Sequence, residues 1–487
     1  MLLRPLATSI ALVDTEKILV DRPLETAAVA CREHEATNMI SETRKHGRIF
    51  PLHIAPIDWY FLCDDSAEYP MVFYLQLDFT GVIDRDYFDC ALDEALKRHP
   101  LLYAIVQPAK QNKPCWVLAP ELMPQVEWTD QDVPKCLSGG EQLDIYSTPG
   151  LRIWARQVDD QTQMTLQFHH AACDGTGAYR FVGDLLACYM SRLASCAGQV
   201  ELGEVDLAQL KARPTKMRSL QASDGFFQKI FSAYAEVWRT FGNRIVVLNQ
   251  PKSKAHATTL PGMVNQELSG EQLASLRQLA TSKGATFNDL LLCKMFQVIL
   301  QWNEREERSR KYRILVPSDM RDGQDFEIPA CNMTAYTFIN RLAAEIVDEE
   351  KLLTLIRDDT LQIKNGSRQK SFMNGLTSAM ATPFVLQYLV RRNVCLATSV
   401  LSNAGDPSRR FTCRLPKSLG KVSCDEFTLD GITGVPPLRC MTRCTMSSSI
   451  YGRKLTFSMR CDPHSFSQED STKLLDLFCS ALMADAI

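Results

Sequence analysis

Seven residues, His169 to Gly175 (H-H-A-A-C-D-G), constrain this chain most, because of what lies on either side of them. The run before them, Thr162 to Phe168, alternates Met164, Leu166 and Phe168 with polar residues, the period of a half-buried strand. After them an apolar pattern at helical spacing begins near Tyr179. The chain must therefore pass from strand to helix inside the heptapeptide, and it delivers a histidine pair at the strand's end. Histidine takes up and returns a proton near neutral pH, so its placement where a rigid element meets a loop suits a general base. Asp174 and Gly175 shape the turn, Gly175 being expected to permit a positive φ or a close backbone approach. Two histidines beside a turn are more often structural than catalytic, so the rest of the chain has to decide.

Phe73, Leu75, Leu77 and Phe79 alternate with Tyr74, Gln76, Asp78 and Thr80, which predicts a strand with one buried face. Asp84 is placed to cap a helix carrying Tyr87, Phe88, Ala91, Leu92, Ala95 and Leu96, which Pro100 stops. Trp116 to Leu118 and Leu151 to Val158 read as further strands. From Gly198 to Ala222 periodicity fades, the mark of a crossover. An aromatic stripe at helical spacing follows, from Phe226 to Phe241. It reads first as a helix packed on the core; a lid or membrane-surface contact ranks second, since flanking Lys/Arg richness is missing.

In the second half, Ser269 with Gln272, Thr286 with Asp289 and Ser467 with Asp470 spell three capping boxes, and Gly284 is placed to end the first of these helices. Tyr312 to Val316 reads as a strand with Arg321 beyond its end, and Leu474, Leu475, Leu477, Phe478 and Leu482 give the last helix a core face. The charge run Glu304 to Arg313 reads as a solvated turn. The sum is an α/β protein of two sandwiches with mixed, largely antiparallel sheets covered by helices.

At 487 residues the chain exceeds one ordinary core, and length alone favours two or three domains. A formal net charge of −3 offers no electrostatic case for nucleic acid as a partner. The 17 cysteines are scattered, and Cys90, Cys188, Cys293 and Cys479 sit inside apolar patterns, so they read as reduced core thiols of a cytoplasmic protein. Cys440 and Cys444 lack the spacing of a zinc site and no histidine cluster completes one, so no metal is expected. No apolar run reaches the roughly 18 residues of a transmembrane helix. Residues 1–45 carry a short apolar run with a weak basic flank and read as an extension of undetermined structure.

The H-H-x-x-x-D-G pattern resembles the signature of the condensation-domain and chloramphenicol acetyltransferase-like acyltransferase superfamily. That superfamily includes alcohol O-acyltransferases, condensation domains of peptide synthetases, polyketide-associated acyltransferases and the wax ester synthase group. Other segments resemble it in the same order: Pro51 to Trp59, Gly81 to Leu102 with its R-H-P-L-L ending, and Gly284 to Leu292 (G-A-T-F-N-D-L-L-L). Val316 to Arg321 (V-P-S-D-M-R), Cys331-Asn332, Ser402 to Gly405 (S-N-A-G) and Gly452 to Pro463 complete the set, which runs from about residue 50 onward.

The resemblance implies two chloramphenicol acetyltransferase-like sandwich subdomains, 46–197 and 256–487, joined by a crossover with an amphipathic helix, 198–255, and with an active-site channel between them. It makes His170 the base facing the channel and Asp174 a support that points away and pairs with Arg321. His169 and Gly175 stand behind His170, while Asn332, Ser402 and Asn403 fall where the family lines its channel. Cys331 departs from the usual glycine before Asn332, and the D-F-G-W-G segment of the plant branch is absent. The implied activity moves an acyl group from a thioester, acyl-CoA first, to a hydroxyl or amine, with the thioester as co-substrate and no bound cofactor. Two alternatives stay open: a stand-alone condensation enzyme fed by a carrier protein, and a catalytically silent binding protein on the same scaffold. Two fused halves can build a complete site from one chain, which points to a monomer; peripheral membrane contact stays open but is not favoured.

Overall fold

Strand alternation and capped amphipathic helices assemble into two large sheets, each packed against helices, with a three-stranded and a two-stranded sheet beside them. The structure is a computed structural model that describes residues 49–108, 114–130, 141–219, 244–251, 261–304, 309–380, 383–390 and 394–485. The readings for residues 1–45 and for the aromatic stripe 226–241 lie outside the described residues.

The chain begins with β1 (Leu52–His53), α1 (Pro56–Asp64), β2 (Val72–Gly81), α2 (Arg85–Arg98), β3 (Ala104–Pro108) and β4 (Pro114–Leu118). It continues with β5 (Val126–Thr129), β6 (Leu151–Val158), β7 (Gln161–His169), α3 (Gly175–Met190) and α4 (Ala208–Ser219). The second half contains β8 (Val264–Leu268), α5 (Gly270–Ser282), α6 (Phe287–Trp302), β9 (Lys311–Asp319), β10 (Thr334–Leu342), α7 (Ala343–Ile346) and α8 (Glu349–Lys364). There follow α9 (Ser367–Met380), α10 (Pro383–Val390), β11 (Ser399–Gly405), β12 (Lys417–Ser418), β13 (Lys421–Val422), β14 (Phe427–Val435), β15 (Cys444–Tyr451), β16 (Lys454–Cys461) and α11 (Gln468–Met483).

The first sheet has the order β14-β2-β7-β6-β5 and the second β10-β9-β11-β15-β16-β8. Within them only β5 with β6, β11 with β9 and β11 with β15 pair in parallel. Strand β14 belongs to the second half of the chain, yet it pairs with β2 from Phe427 opposite Gly81 to Val435 opposite Tyr74. Its Phe427, Leu429 and Ile432 join Phe73, Leu75, Leu77 and Phe79 of β2, Phe88 of α2 and Phe181 of α3 in one core. A second core gathers residues of α6, β9, β16 and α11, among them Phe296, Ile314, Phe457 and Phe478. A third, including Phe61, Ala171, Leu315, Tyr336 and Met373, draws on both halves.

Local signals work as read at the helix ends. Asp84 accepts the Tyr87 N–H at 3.0 Å, the three capping boxes form, and Gly284 has φ +63° just past α5. Four readings are corrected. Strand β2 is buried on both faces: Tyr74 meets Trp154 edge-on at 6.3 Å, with Leu143 and Val435 beside it. Arg313 does not sit in a solvated turn but lies buried in β9, where its Nε donates to Asn340 Oδ1 at 2.7 Å and Phe338 lies under its guanidinium. Within the faded stretch 198–222, α4 forms around Pro214, because burial of Arg213 fixes it by tertiary contact and no periodicity announces it. Cys90 is exposed, on the outer side of α2 from Phe88, whereas Cys188, Cys293 and Cys479 are buried. Among the described residues no helix is long and apolar enough to cross a membrane.

Candidate active site

The turn after β7 is built from backbone hydrogen bonds that leave the two histidines facing different ways. Val72 stands opposite His169 in the β2–β7 ladder, and the His170 N–H donates to Met71 C=O at 2.8 Å, which carries the pairing one residue further. The Ala171 N–H donates to His169 Nδ1 at 3.1 Å, so the ring proton of His169 sits on Nε2, 3.7 Å from Asp65 Oδ1. That ring is fully buried and serves the turn. His170 instead stacks on Phe61, centroids 4.0 Å apart at 11°, with Phe73 tilted against it at 5.1 Å. Asn332 Nδ2 donates to the His170 C=O at 2.6 Å and lies 3.4 Å from its Nδ1. Burial drives the His170 pKa from 6.5 to about 4, against the opposing pull of the Asp174 charge. The imidazole is therefore neutral at pH 7.

Asp174 caps α3 and closes the same turn. Its Oδ1 accepts the Gly177 N–H at 2.8 Å, and its Oδ2 accepts Arg321 Nη1 at 2.8 Å and the Met333 N–H at 2.7 Å. Burial works to raise this carboxyl, but Arg321 and these donors outweigh it and hold the group below its ordinary value. Arg321 also reaches Asp319 Oδ1 at 3.0 Å and, through Nη2, Cys331 C=O at 2.8 Å. Cys331, in the place of a glycine, is accommodated with its side chain fully buried. Burial pushes the thiols of Cys173 and Cys331 up, which keeps them protonated and unreactive.

Gly175 does not do what the sequence reading assigned to it. It has no positive φ, and a Cβ there would meet nothing within 4 Å, because this first helical residue borders open space. Gly177 is the constrained glycine: a Cβ would lie 2.8 Å from Cys331 O and 2.9 Å from Cys173 Sγ. Only a glycine at the third position lets the helix start press against the loop that carries Arg321 and Asn332.

His170 opens into a cleft of about 180 Å³ between the two sheets. Gly175 and Tyr179 line it from the first half; Ser402, Asn403 and Arg410 do so from the second. Asn332 is not among the lining residues: it is fully buried, holding His170 by its carbonyl and accepting the Thr334 N–H at 3.0 Å. Asn403 Nδ2 donates to Asn288 Oδ1 at 3.4 Å, and Ser402 is half-buried.

Two supports escaped the sequence reading. Arg213 Nη2 and Nη1 donate to Asp58 at 2.6 and 3.1 Å, and Nη1 also to Asn332 C=O at 2.8 Å, so a buried pair braces the residue that holds His170. His99, of the R-H-P segment, accepts the Ala330 N–H at 2.8 Å and places Nε2 3.1 Å from Asp184 Oδ2, tying α2 and α3 to the same loop. An aspartate amid the apolar run Ile54 to Cys63 was the one available signal; Arg213 had none. Among the described residues the one group of His, Cys, Asp and Glu close enough to hold a metal ion is Cys196, Cys424 and Glu426, none of which lines the cleft.

Comparison with solved structures gives the fold. Trichothecene 15-O-acetyltransferase TRI3 from Fusarium sporotrichioides is 12% identical at a TM-score of 0.65, over 89% of this chain and 94% of that one. Polyketide synthase associated protein 5 from Mycobacterium tuberculosis is 16% identical at 0.59, over 89% and 98%. The starter condensation domain of rhizomide synthetase RzmA, solved with C8-CoA and Leu-SNAC, is 12% identical at 0.59, over 90% and 95%. No protein-family profile and no curated protein sequence matches the chain. The fold is that of the condensation domains and chloramphenicol acetyltransferase-like acyltransferases, with two subdomains.

Proposed function

We propose that this protein is an acyltransferase that moves an acyl group from a thioester, acyl-CoA first, to a hydroxyl or amine acceptor, with His170 as general base. The observation that carries the reading is the His170 ring itself. It is 8% exposed, neutral, stacked on Phe61, and edges into a cleft between two sheets. In this reading the neutral ring carries its proton on Nδ1 and offers the Nε2 lone pair to the acceptor. Nε2 takes the proton of the acceptor as its heteroatom attacks the thioester carbonyl. The C–S bond then breaks, and the same proton passes to the leaving thiolate. No acyl-enzyme forms, because the acceptor itself attacks. Of the polar side chains lining the cleft, the Ser402 hydroxyl and Asn403 amide are assigned to the developing oxyanion. TRI3, by its name an O-acetyltransferase, and the RzmA domain, solved with an acyl-CoA, share the fold and agree with the reading.

The test is release of free thiol from a panel of acyl-CoAs and carrier-bound acyl thioesters with mixed alcohols and amines, comparing wild type with His170→Ala at matched thermal stability. Acceptor-dependent release that the variant abolishes supports the reading. Release only from carrier-bound thioesters moves the protein to the condensation alternative. No release from any donor leaves a binding role on the same scaffold.

A further inference from the structure

At the far end of the first sheet from His170, three side chains converge that no part of the acyl-transfer reading uses. Strand β2 begins at Val72, opposite His169, and ends at Gly81, opposite Phe427. Nine residues at about 3.3 Å each separate the two ends by roughly 30 Å. There the turn after α3, Ala194–Cys196, meets the turn that leads into β14. The second turn is closed by the Cys424 N–H donating to Phe427 C=O at 2.9 Å and by Ser423 bridging Thr428. Gly81, at φ +105°, lets it approach: a Cβ there would fall 2.2 Å from Glu426 O.

We propose that Cys196, Cys424 and Glu426 form a structural site for a thiophilic divalent cation of the zinc class, clipping the strand lent by the second half to the exit of α3. Their Sγ and carboxylate atoms all lie within 4.8 Å of one another. Tetrahedral zinc, with Zn–S near 2.3 Å and Zn–O near 2.1 Å, needs such atoms roughly 3.5–3.8 Å apart, so closure takes side-chain shifts of about 1 Å. Two thiolates and a carboxylate more than offset the dication, and water takes the fourth position. Ser195 donates to Glu426, holding the carboxylate ionised and turned toward the pair. Thiols lose their protons on ligation, so uptake strengthens as pH rises. The two cysteines lie 228 residues apart, so sequence spacing gives no sign of the site.

Cobalt(II), which reports thiolate ligation by charge-transfer absorption, is titrated into the reduced full-length protein and then displaced with zinc. The expected result is one equivalent with a tetrahedral thiolate spectrum, lost in Cys196→Ser and in Cys424→Ser. Cys90→Ser, at an exposed cysteine remote in sequence from the cluster, keeps it. Glu426→Gln keeps the charge-transfer band and weakens binding by roughly tenfold or more. Chelation lowers the melting temperature of wild type and leaves that of Cys424→Ser unchanged. The proposal is overturned by an unchanged equivalent in both serine variants, by no thiolate band in wild type, or by a Cys196–Cys424 disulfide forming under mild oxidation in a protein that takes up no metal.

Discussion

Replacing Asp174 separates its role as a brace from any direct part in chemistry. The carboxylate accepts three N–H groups, from Gly177, Arg321 and Met333, all within 2.8 Å. Asp174→Ala removes a helix cap, worth about 1 kcal/mol, and leaves the Met333 N–H buried without an acceptor, about 1–3 kcal/mol. It also breaks a buried ion pair, which typically costs about 3–5 kcal/mol. The ion-pair loss falls at the low end, because Arg321 keeps Asp319 Oδ1 at 3.0 Å and Cys331 C=O at 2.8 Å. These losses share atoms and do not add, so the total is roughly 4–5 kcal/mol. Asp174→Asn caps a helix as well as aspartate does and keeps the shape, so its loss is confined to Oδ2, about 2–3 kcal/mol. Urea unfolding of both variants and of Arg321→Met, with the double-mutant cycle, gives the pair energy. Turnover is then measured well below the lowest midpoint. A wild-type midpoint with a large fall in turnover would refute the bracing argument. So would a cycle in which Asp174→Ala and Arg321→Met simply add. The pair's contribution is present above the ordinary carboxyl value of 3.8 and is lost as pH falls through the lower folded value.

If His170 is the base, the acid limb of the pH profile of kcat/KM falls near 4 and not near 6.5, since activity needs the neutral ring. The same shift makes stability fall by roughly 3 kcal/mol as pH drops from 6.5 to about 4, because the unfolded chain takes up the proton that the folded ring refuses. Calorimetry across that range checks it, and His170→Ala should flatten this part of the curve. Gly177→Ala drives a methyl to 2.8 Å from Cys331 O and should cost about 1–3 kcal/mol, read by urea unfolding. Gly175→Ala, in open space, should hold or raise the midpoint, while Gly175→Trp should raise KM at an unchanged midpoint by filling the cleft.

What the sequence made legible is what short-range physics encodes. Capping boxes at Ser269, Thr286 and Ser467 act over three residues, and the alternation of Met164, Leu166 and Phe168 marks a strand whatever surrounds it. The placement of Arg321 on Asp174 came from resemblance, since nothing local joins residues 147 apart. Resemblance alone points Asn332 to the channel, and burial with two hydrogen bonds makes it a support instead. The glycines show the limit most sharply. Gly175 and Gly177 are indistinguishable on the page, and only the position of the Cys331 backbone decides which of them must lack a side chain.

Strand β14 makes the same point in a form that can be tested. Chain order suggests that the first half could stand alone, but a fragment of residues 49–197 would lack the strand that covers β2 and the side chains Phe427, Leu429 and Ile432. Each of these, fully buried, is worth about 1.5–3 kcal/mol, so the fragment forgoes roughly 5–9 kcal/mol of burial. A whole domain is commonly stable by about 5–15 kcal/mol. It would also expose the unpaired edge of the ten-residue β2, an invitation to edge-to-edge association. The fragment should therefore aggregate or remain unfolded, and supplying residues 406–487 on a linker should not rescue it unless β14 regains its register. A monomeric fragment that unfolds cooperatively in urea would show that the first core closes without the borrowed strand. The two halves would then be separable folding units, and the His170 turn would gain Asn332 and Arg321 only when they dock.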